Sequence, residues 1–307
     1  MNMQPEMLLV PKKEFKIPPE LQTEFDACHE IMQAAGVSLK QRYDLMRQKG
    51  LAEAQVIKDG IAKEINWITQ SDIELHQQAI NKLMGKFPEA EILAEEKIEE
   101  FNPRSLEGFN KGYLYGKEEG YDKWIIDMLD GTSNFARGDP HFGIQMALER
   151  NDEVAMGIIF RPVTNDWFVA FKDGGAWYGY GNKFNPEAAR QIGVSSRQGW
   201  QELRMEFEAN MKRILPDAKL IGQQGSEKWR VYGTAVWDFP AIAEGANDGL
   251  IARGPTPYDI APGGLLVLEA GGQVTDVDGN PFNPYLKTVV VSNKIIHKQI
   301  LDTIKSR

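Results

Sequence analysis

A chain of 307 residues, 42% of them hydrophobic, is long enough for two modest domains or one large layered unit with a real core. A formal net charge of −9 argues against a surface that tracks nucleic-acid phosphates and suits an acidic metal site. The single cysteine, Cys28, excludes an intrachain disulfide and a cysteine-rich zinc site, and no apolar run reaches the roughly 18 residues of a membrane span.

The opening residues hold only a brief apolar stretch before Pro11, too short for a signal-peptide core, so a cytoplasmic protein with no membrane partner is expected. Residues 19–49 carry helical periodicity, with Leu21, Phe25, Cys28, Ile31 and Met32 on one face and a break expected at Gly36. Further on, Ser71 with Glu74 reads as a capping box opening a helix that reaches about Phe87, with Asp72 in its first turn, where a carboxylate favours the helix dipole. Glu91 to Glu95 reads as a strand. The segment from Lys97 to Asp122 is polar and aromatic, has glycines at 108, 112, 116 and 120, and shows no period; a loop of that length is uncommon unless functional, and a mobile flap is expected.

From Trp124 to Phe135 the chain reads WIIDMLDGTSNF. Trp124, Ile125 and Ile126 form an apolar strand, after which Asp127 and Asp130 arrive three apart and Gly131 permits a tight turn into Thr132, Ser133 and Asn134. Two chemistries suit this pattern. One is a turn in which Asp130 and Asn134 bond the backbone; the other is a hard-cation site whose following N–H groups receive a phosphate. Downstream, HFGIQMAL, EVAMGIIF, DWFVAF and GGAWYG form short runs between turn signals, as in an antiparallel meander, and GYGN reads as a hairpin turn. After residue 187 the pattern alternates: strand QIGVS, helix from about Gln198 to Ile214, strand AKLIG, helix from about Ala235, strand GLIA, helix from Asp259, strands QVTD and TVVVS, and helix Asn293 to Lys305. An α+β half over 1–187 and an α/β half over 188–307 are expected.

The run Asp127 to Phe135 resembles the first signature of the inositol monophosphatase family, D-P-x-D-G-T-x-N-F, with Met128 in the proline position. The run Tyr258 to Gly272, YDIAPGGLLVLEAGG, resembles the second, with Tyr258 in place of tryptophan. Two motifs in the expected order make a chance match a poor account. The resemblance implies a layered α/β/α/β/α sandwich, a homodimer, and Mg²⁺-dependent, lithium-sensitive hydrolysis of a small polyol or sugar phosphate of the inositol 1-phosphate type. It implies that Glu95, Asp127, Asp130, Asp259 and the Leu129 carbonyl hold two or three Mg²⁺ ions, with Asp72 acting at the rim through water. Glu95 and the Thr132 hydroxyl would orient the attacking water, Gly131 and Thr132 N–H groups would hold phosphate, and Gly233, Thr234 and Ala235 would contact a substrate hydroxyl. The oxygen-rich ligand set favours Mg²⁺ over zinc. The four histidines, at 29, 76, 141 and 297, are dispersed, and His141 is read as structural.

In family members that favour inositol phosphates an acid stands just before the second signature. Here Ala252 and Arg253 occupy that stretch, so an acid is missing and Arg253 is either a surface residue or a site for a second anionic group. The Tyr258-Asp259 pair also resembles the histidinol-phosphate phosphatase branch, which stays open as the alternative substrate class. A catalytically silent regulatory protein on the same fold is the reading from another class.

Overall fold

In the computed structural model the described residues are 12–49, 56–58, 67–109, 111–118, 121–207, 211–226 and 228–306. The opening stretch through Pro11, and Asn110, Glu119 and Gly120 of the expected flap, lie outside them. Helix α1 (Gln22–Lys49), entered through a 3-10 turn at Pro19–Leu21, buries the face anticipated from its spacing, Leu21, Phe25, Cys28, Ile31 and Met32. It does not break at Gly36. A Cβ there would stand 2.1 Å from Phe160 Cε1, so glycine is what lets the helix lie close against the sheet below. Strands β1 (Val56–Lys58) and β2 (Trp67–Thr69) pair antiparallel and lead to α2 (Gln70–Lys86). Ser71 lies inside the first turn of α2 instead of capping it. Arg42 of α1 reaches Ser71 Oγ at 2.7 Å and Glu74 Oε2 at 2.5 Å, which ties the two helices together.

The next elements build a nine-stranded sheet: β3 (Glu91–Ala94), β4 (Arg104–Ser105), β5 (Tyr113–Gly116), β6 (Asp122–Asp130), β7 (Gly143–Arg150), β8 (Glu153–Arg161), β9 (Asp166–Phe171), β10 (Gly175–Tyr180) and β11 (Arg190–Gln191). Their spatial order is β11-β10-β9-β8-β7-β6-β3-β5-β4, with β7 to β10 forming the anticipated meander and β6 joining it at β7. Only β3 and β6 are parallel neighbours in it. The segment from Lys97 to Asp122 is not an irregular flap: β5 pairs antiparallel with β3, and β4 with β5, so it extends the sheet edge. The sequence misses this because the two strands are short and their apolar residues do not alternate. Strand β11 hydrogen-bonds to β10, so the expected strand QIGVS contributes only its first residue, with Arg190 before it, and does so to the first sheet, across the anticipated 187/188 boundary.

A five-stranded sheet follows, from β12 (Arg204–Phe207), β13 (Lys228–Arg230), β14 (Gly249–Arg253), β15 (Gln273–Thr275) and β16 (Thr288–Ser292), in the order β13-β12-β14-β16-β15. Its helices are α4 (Met211–Gln223), α5 (Ala235–Ala243), α6 (Pro257–Glu269) and α7 (His297–Lys305); the short α3 (Thr132–Ala136) belongs to the first half. The helix expected from Gln198 to Ile214 and the strand expected at AKLIG are exchanged: β12 falls inside the former and AKLIG lies within α4. Ile214, Ala218 and Ile221, spaced at helical intervals, are buried beneath α4 against Met205 and Phe207 of the strand.

Alternation places the layers. Trp124 and Ile126 of β6 pack with α1 and α2, whereas Ile125 between them packs with α5, α6 and the inner face of the second sheet. On that sheet's outer face Ile251 and Val290 meet α4 and α7. The result is the α/β/α/β/α sandwich, α1–α2, nine strands, α5–α6, five strands, α4–α7.

Candidate active site

Parallel pairing of β3 with β6 in the register Ala94 opposite Ile126 brings Glu95 and Asp127 to the same end of neighbouring strands. A β-bulge between Asp127 and Asp130 disturbs the β6–β7 ladder there. Gly131 then turns the chain at φ 85°, where a Cβ would stand 2.7 Å from the His141 carbonyl oxygen, so only glycine fits. Thr132 opens α3; its Oγ1 lies 2.9 Å from the Leu129 carbonyl and 3.0 Å from Asp72 Oδ2, which α2 delivers from its first turn. From the second half, α5 brings Thr234 and Ala235, and α6 brings Asp259.

Carboxylate oxygens of Asp127, Asp130 and Asp259 all lie within 4.8 Å of one another. Each is held by donors. Asp127 Oδ1 accepts from Leu129 N at 2.9 Å, Asp130 Oδ2 from Thr234 Oγ1 and Val236 N, both at 2.8 Å, and Asp259 Oδ2 from Thr256 N at 2.7 Å and Thr256 Oγ1 at 2.6 Å. Asp127 Oδ2 is buried and accepts no hydrogen bond. Burial, together with the neighbouring carboxylates, pushes the pKa of Asp127 well up, that of Asp130 to about 6 and that of Asp259 to about 7. Buried acids that raise one another, with an orphaned oxygen among them and only oxygen donors in the set, fit a hard divalent cation such as Mg²⁺. A cavity of about 300 Å³ opens beside them, lined by Asp130, Thr234, Ala235, Asp238, Ala252 and Asp259 among others.

Most of the anticipated residues, Asp72, Glu95, Asp127, Leu129, Asp130, Gly131, Thr132, Gly233, Thr234, Ala235 and Asp259, thus gather at this end of the sandwich. Arg253 does not join them as a receptor for a second anion: its guanidinium forks onto the buried Asp217, Nε to Oδ2 at 2.5 Å and Nη2 to Oδ1 at 3.0 Å. Three residues at the site were not singled out in the sequence. Lys111, from the β4–β5 hairpin, places Nζ 2.9 Å from Glu95 Oε1. Asp238 lines the cavity one helical turn beyond Thr234. His76, fully buried, lies 2.9 Å from Asp72 Oδ1 through Nδ1, and its pKa is drawn upward, with burial opposing and Asp72, Glu96 and Glu95 favouring the charged ring. The i, i+4 spacing of Asp72 and His76 on one helix was the available signal for the last.

The sequence model of the inositol monophosphatase family matches residues 21–307. Inositol monophosphatase of Dictyostelium discoideum is 30% identical over 241 residues, covering 76% of this chain and 81% of its own. Fructose-1,6-bisphosphatase/inositol-1-monophosphatase of Thermotoga maritima is 28% identical over 238 residues, covering 77% and 82%. In shape, the crystal structure of extragenic suppressor protein suhB from Bartonella henselae matches with a TM-score of 0.76 at 24% identity, over 93% of this chain and 99% of that one. With both signatures converging on one carboxylate cluster and a match across nearly its whole length, the chain belongs to the inositol monophosphatase family of phosphoric monoester hydrolases.

Proposed function

We propose that this protein hydrolyses the phosphate monoester of a small polyol or sugar, of the inositol 1-phosphate type, with Mg²⁺ as cofactor. The observation that carries the reading is the Asp127, Asp130 and Asp259 cluster, with its orphaned Asp127 Oδ2, of which Asp130 and Asp259 line a cavity together with Thr234 and Ala235. Glu95, Asp127, Asp130, Asp259 and the Leu129 carbonyl would hold two or three Mg²⁺ ions. Bound there, the metal supplies charge neutralisation for the phosphate and leaving oxygen and acidifies water.

The remaining roles belong to this chain's own groups. Thr132 Oγ1, fixed between Asp72 and the Leu129 carbonyl, orients the attacking water together with Glu95. The Gly131 and Thr132 N–H groups hold phosphate oxygens, and Gly233, Thr234 and Ala235 present backbone to a substrate hydroxyl. A homodimer, a cytoplasmic setting and lithium sensitivity belong to the same reading. Asp238 in the cavity wall keeps histidinol phosphate as the alternative substrate, because its amine would find a carboxylate there. The shape match to a protein named as an extragenic suppressor keeps a regulatory role as the alternative from another class.

The test is phosphate release by the purified protein from inositol 1-phosphate, histidinol phosphate, fructose 1,6-bisphosphate and 3′-phosphoadenosine phosphates, with Mg²⁺, with EDTA and with added millimolar LiCl. Release from inositol 1-phosphate that needs Mg²⁺ and falls with lithium is expected. Preference for histidinol phosphate would transfer the assignment to that substrate. Release from none would favour the regulatory reading.

A further inference from the structure

Met128 stands in the turn between two of the proposed metal ligands, at the position where the signature D-P-x-D-G-T-x-N-F has proline. Proline fixes φ and has no N–H; methionine does neither, so this chain carries an extra backbone donor and an unrestrained φ at the centre of its site. The donor is buried, since Met128 has no exposed surface, and a buried N–H left without an acceptor is costly. Its acceptor comes from 52 residues earlier: Met128 N lies 3.3 Å from His76 Nε2.

The other ring nitrogen faces only acceptors. His76 Nδ1 is 2.9 Å from Asp72 Oδ1 and 3.0 Å from the Asp72 carbonyl oxygen. A donor at Nε2 and acceptors at Nδ1 select one tautomer, neutral imidazole with its proton on Nδ1; the Met128 N–H opposes the charge that Asp72, Glu96 and Glu95 favour, because a doubly protonated ring could not accept it. Both nitrogens are then committed, so His76 is no metal ligand, although it lies 4.0 Å from Asp127 Oδ1.

We infer that His76 is a positioning residue of the site: it ties the Asp72 helix to the Met128 N–H and restrains, by hydrogen bonding, the turn that proline restrains covalently in the signature. Because Asp127 and Asp130 flank that turn, fixing it fixes the separation of their carboxylates. Asp72 is oriented by the same ring from the other side. The inference rests on the metal-site reading above, and the tests below separate the two.

The first test is the ¹⁵N spectrum of the His76 ring in the full-length protein, which reads the tautomer without metal or substrate. Nδ1 is expected in the protonated range and Nε2 in the unprotonated range. A ring protonated at Nε2, alone or together with Nδ1, would overturn the assignment, whether or not the protein is a phosphatase. The second is a cycle of His76→Leu, Met128→Pro and the double variant, with Mg²⁺ affinity read by calorimetry and folding by circular dichroism. His76→Leu is expected to weaken Mg²⁺ binding at least about tenfold, as removal of an outer-shell partner usually does. In the Met128→Pro background, which has no N–H to satisfy, the same change is expected to cost less than about threefold. His76→Gln, which offers one acceptor and one donor, is expected to recover most of the affinity. Equal losses in both backgrounds, or no loss in either, would refute the coupling. Were no Mg²⁺ to bind the unaltered protein, the metal reading would fail while the tautomer result still decided the hydrogen-bond assignment.

Discussion

Replacing Asp130 by asparagine separates what the carboxylate does for the fold from what it does for the metal. Its pKa rises from the ordinary 3.8 to about 6, chiefly through burial, and this means that the folded protein pays to keep it ionised. At about 1.4 kcal/mol per unit, that cost in the metal-free protein is on the order of 3 kcal/mol. The sign follows from linkage: the folded state holds the proton more tightly than the unfolded chain, so stability is retained below pH 4 and lost as pH rises through about 6. Asparagine keeps a carbonyl oxygen to accept from Thr234 Oγ1 and Val236 N and removes the charge. At pH 8 in EDTA, Asp130→Asn should therefore melt higher than the parent, by roughly 4 °C for a chain of this length. In saturating Mg²⁺ the order should reverse, since only the parent gains the full binding free energy, about 4.1 kcal/mol at about a thousandfold excess over Kd, which exceeds the charge cost of about 3 kcal/mol. Thermal melts of both proteins at pH 5 and pH 8, with EDTA and with Mg²⁺, are the assay, and turnover should fall at least about a hundredfold. A variant that melts lower than the parent in EDTA would refute the charge-strain account. An undiminished Mg²⁺-induced shift would remove Asp130 from the metal site.

Arg253→Met removes the fork on Asp217 and should cost about 2–3 kcal/mol in denaturant unfolding while leaving KM for a bisphosphate substrate within about twofold; a large rise in KM would restore Arg253 as an anion contact. Gly36→Ala should destabilise by about 1–3 kcal/mol although alanine is the better helix former by about 1 kcal/mol, because its Cβ would meet the Phe160 ring that stacks on Trp167 at 3.9 Å; a more stable alanine variant would show that the ring yields. In hydrogen exchange, the amides of Tyr113–Gly116, held in the sheet, should be slow, while those of residues 107–109, 111 and 112 at the tip should be fast and become protected when Mg²⁺ and phosphate are added together. Lys111→Met should speed the tip further, and exchange indifferent to ligand would make the hairpin a passive extension of the sheet.

What the sequence discloses here is what is local. The strand, the two aspartates, the glycine turn and Thr132 lie within twelve consecutive residues, and the order of the meander follows from short runs between turns. Asp259 is similarly announced by the run in which it stands. The relations that stay hidden are those made across the chain. Nothing near Met128 tells that His76 accepts its N–H, and nothing near Arg253 tells that Asp217 claims its guanidinium. Lys111 reaches Glu95 only because β4 and β5 fold back along β3. The exchange of helix and strand between residues 198 and 222 has a different cause. LRMEF is a short buried strand without a flanking turn signal, and the apolar face of α4, Ile214, Ala218 and Ile221, becomes visible only when the window spans both of the segments first assigned to it.

The acidic cluster sits where the two halves of the chain meet, and the hydrogen bonds explain why it can. Carboxylates this close and this buried would drive the strand ends apart unless donors held them, and each donor set comes from a different place: the backbone of β6 itself for Asp127, the start of α5 for Asp130 and the start of α6 for Asp259. Asp130 belongs to the first half and takes both donors from the second, so the bond network that offsets its charge also docks the halves on each other. The compensation stops short at Asp127 Oδ2, which is left without a donor. A donor on that oxygen as well would make the fold more stable and would compete with a cation for it. Leaving one buried oxygen open, while Thr234, Val236 and Thr256 hold the neighbouring carboxylates in place, would give the proposed cation a preorganised place to bind.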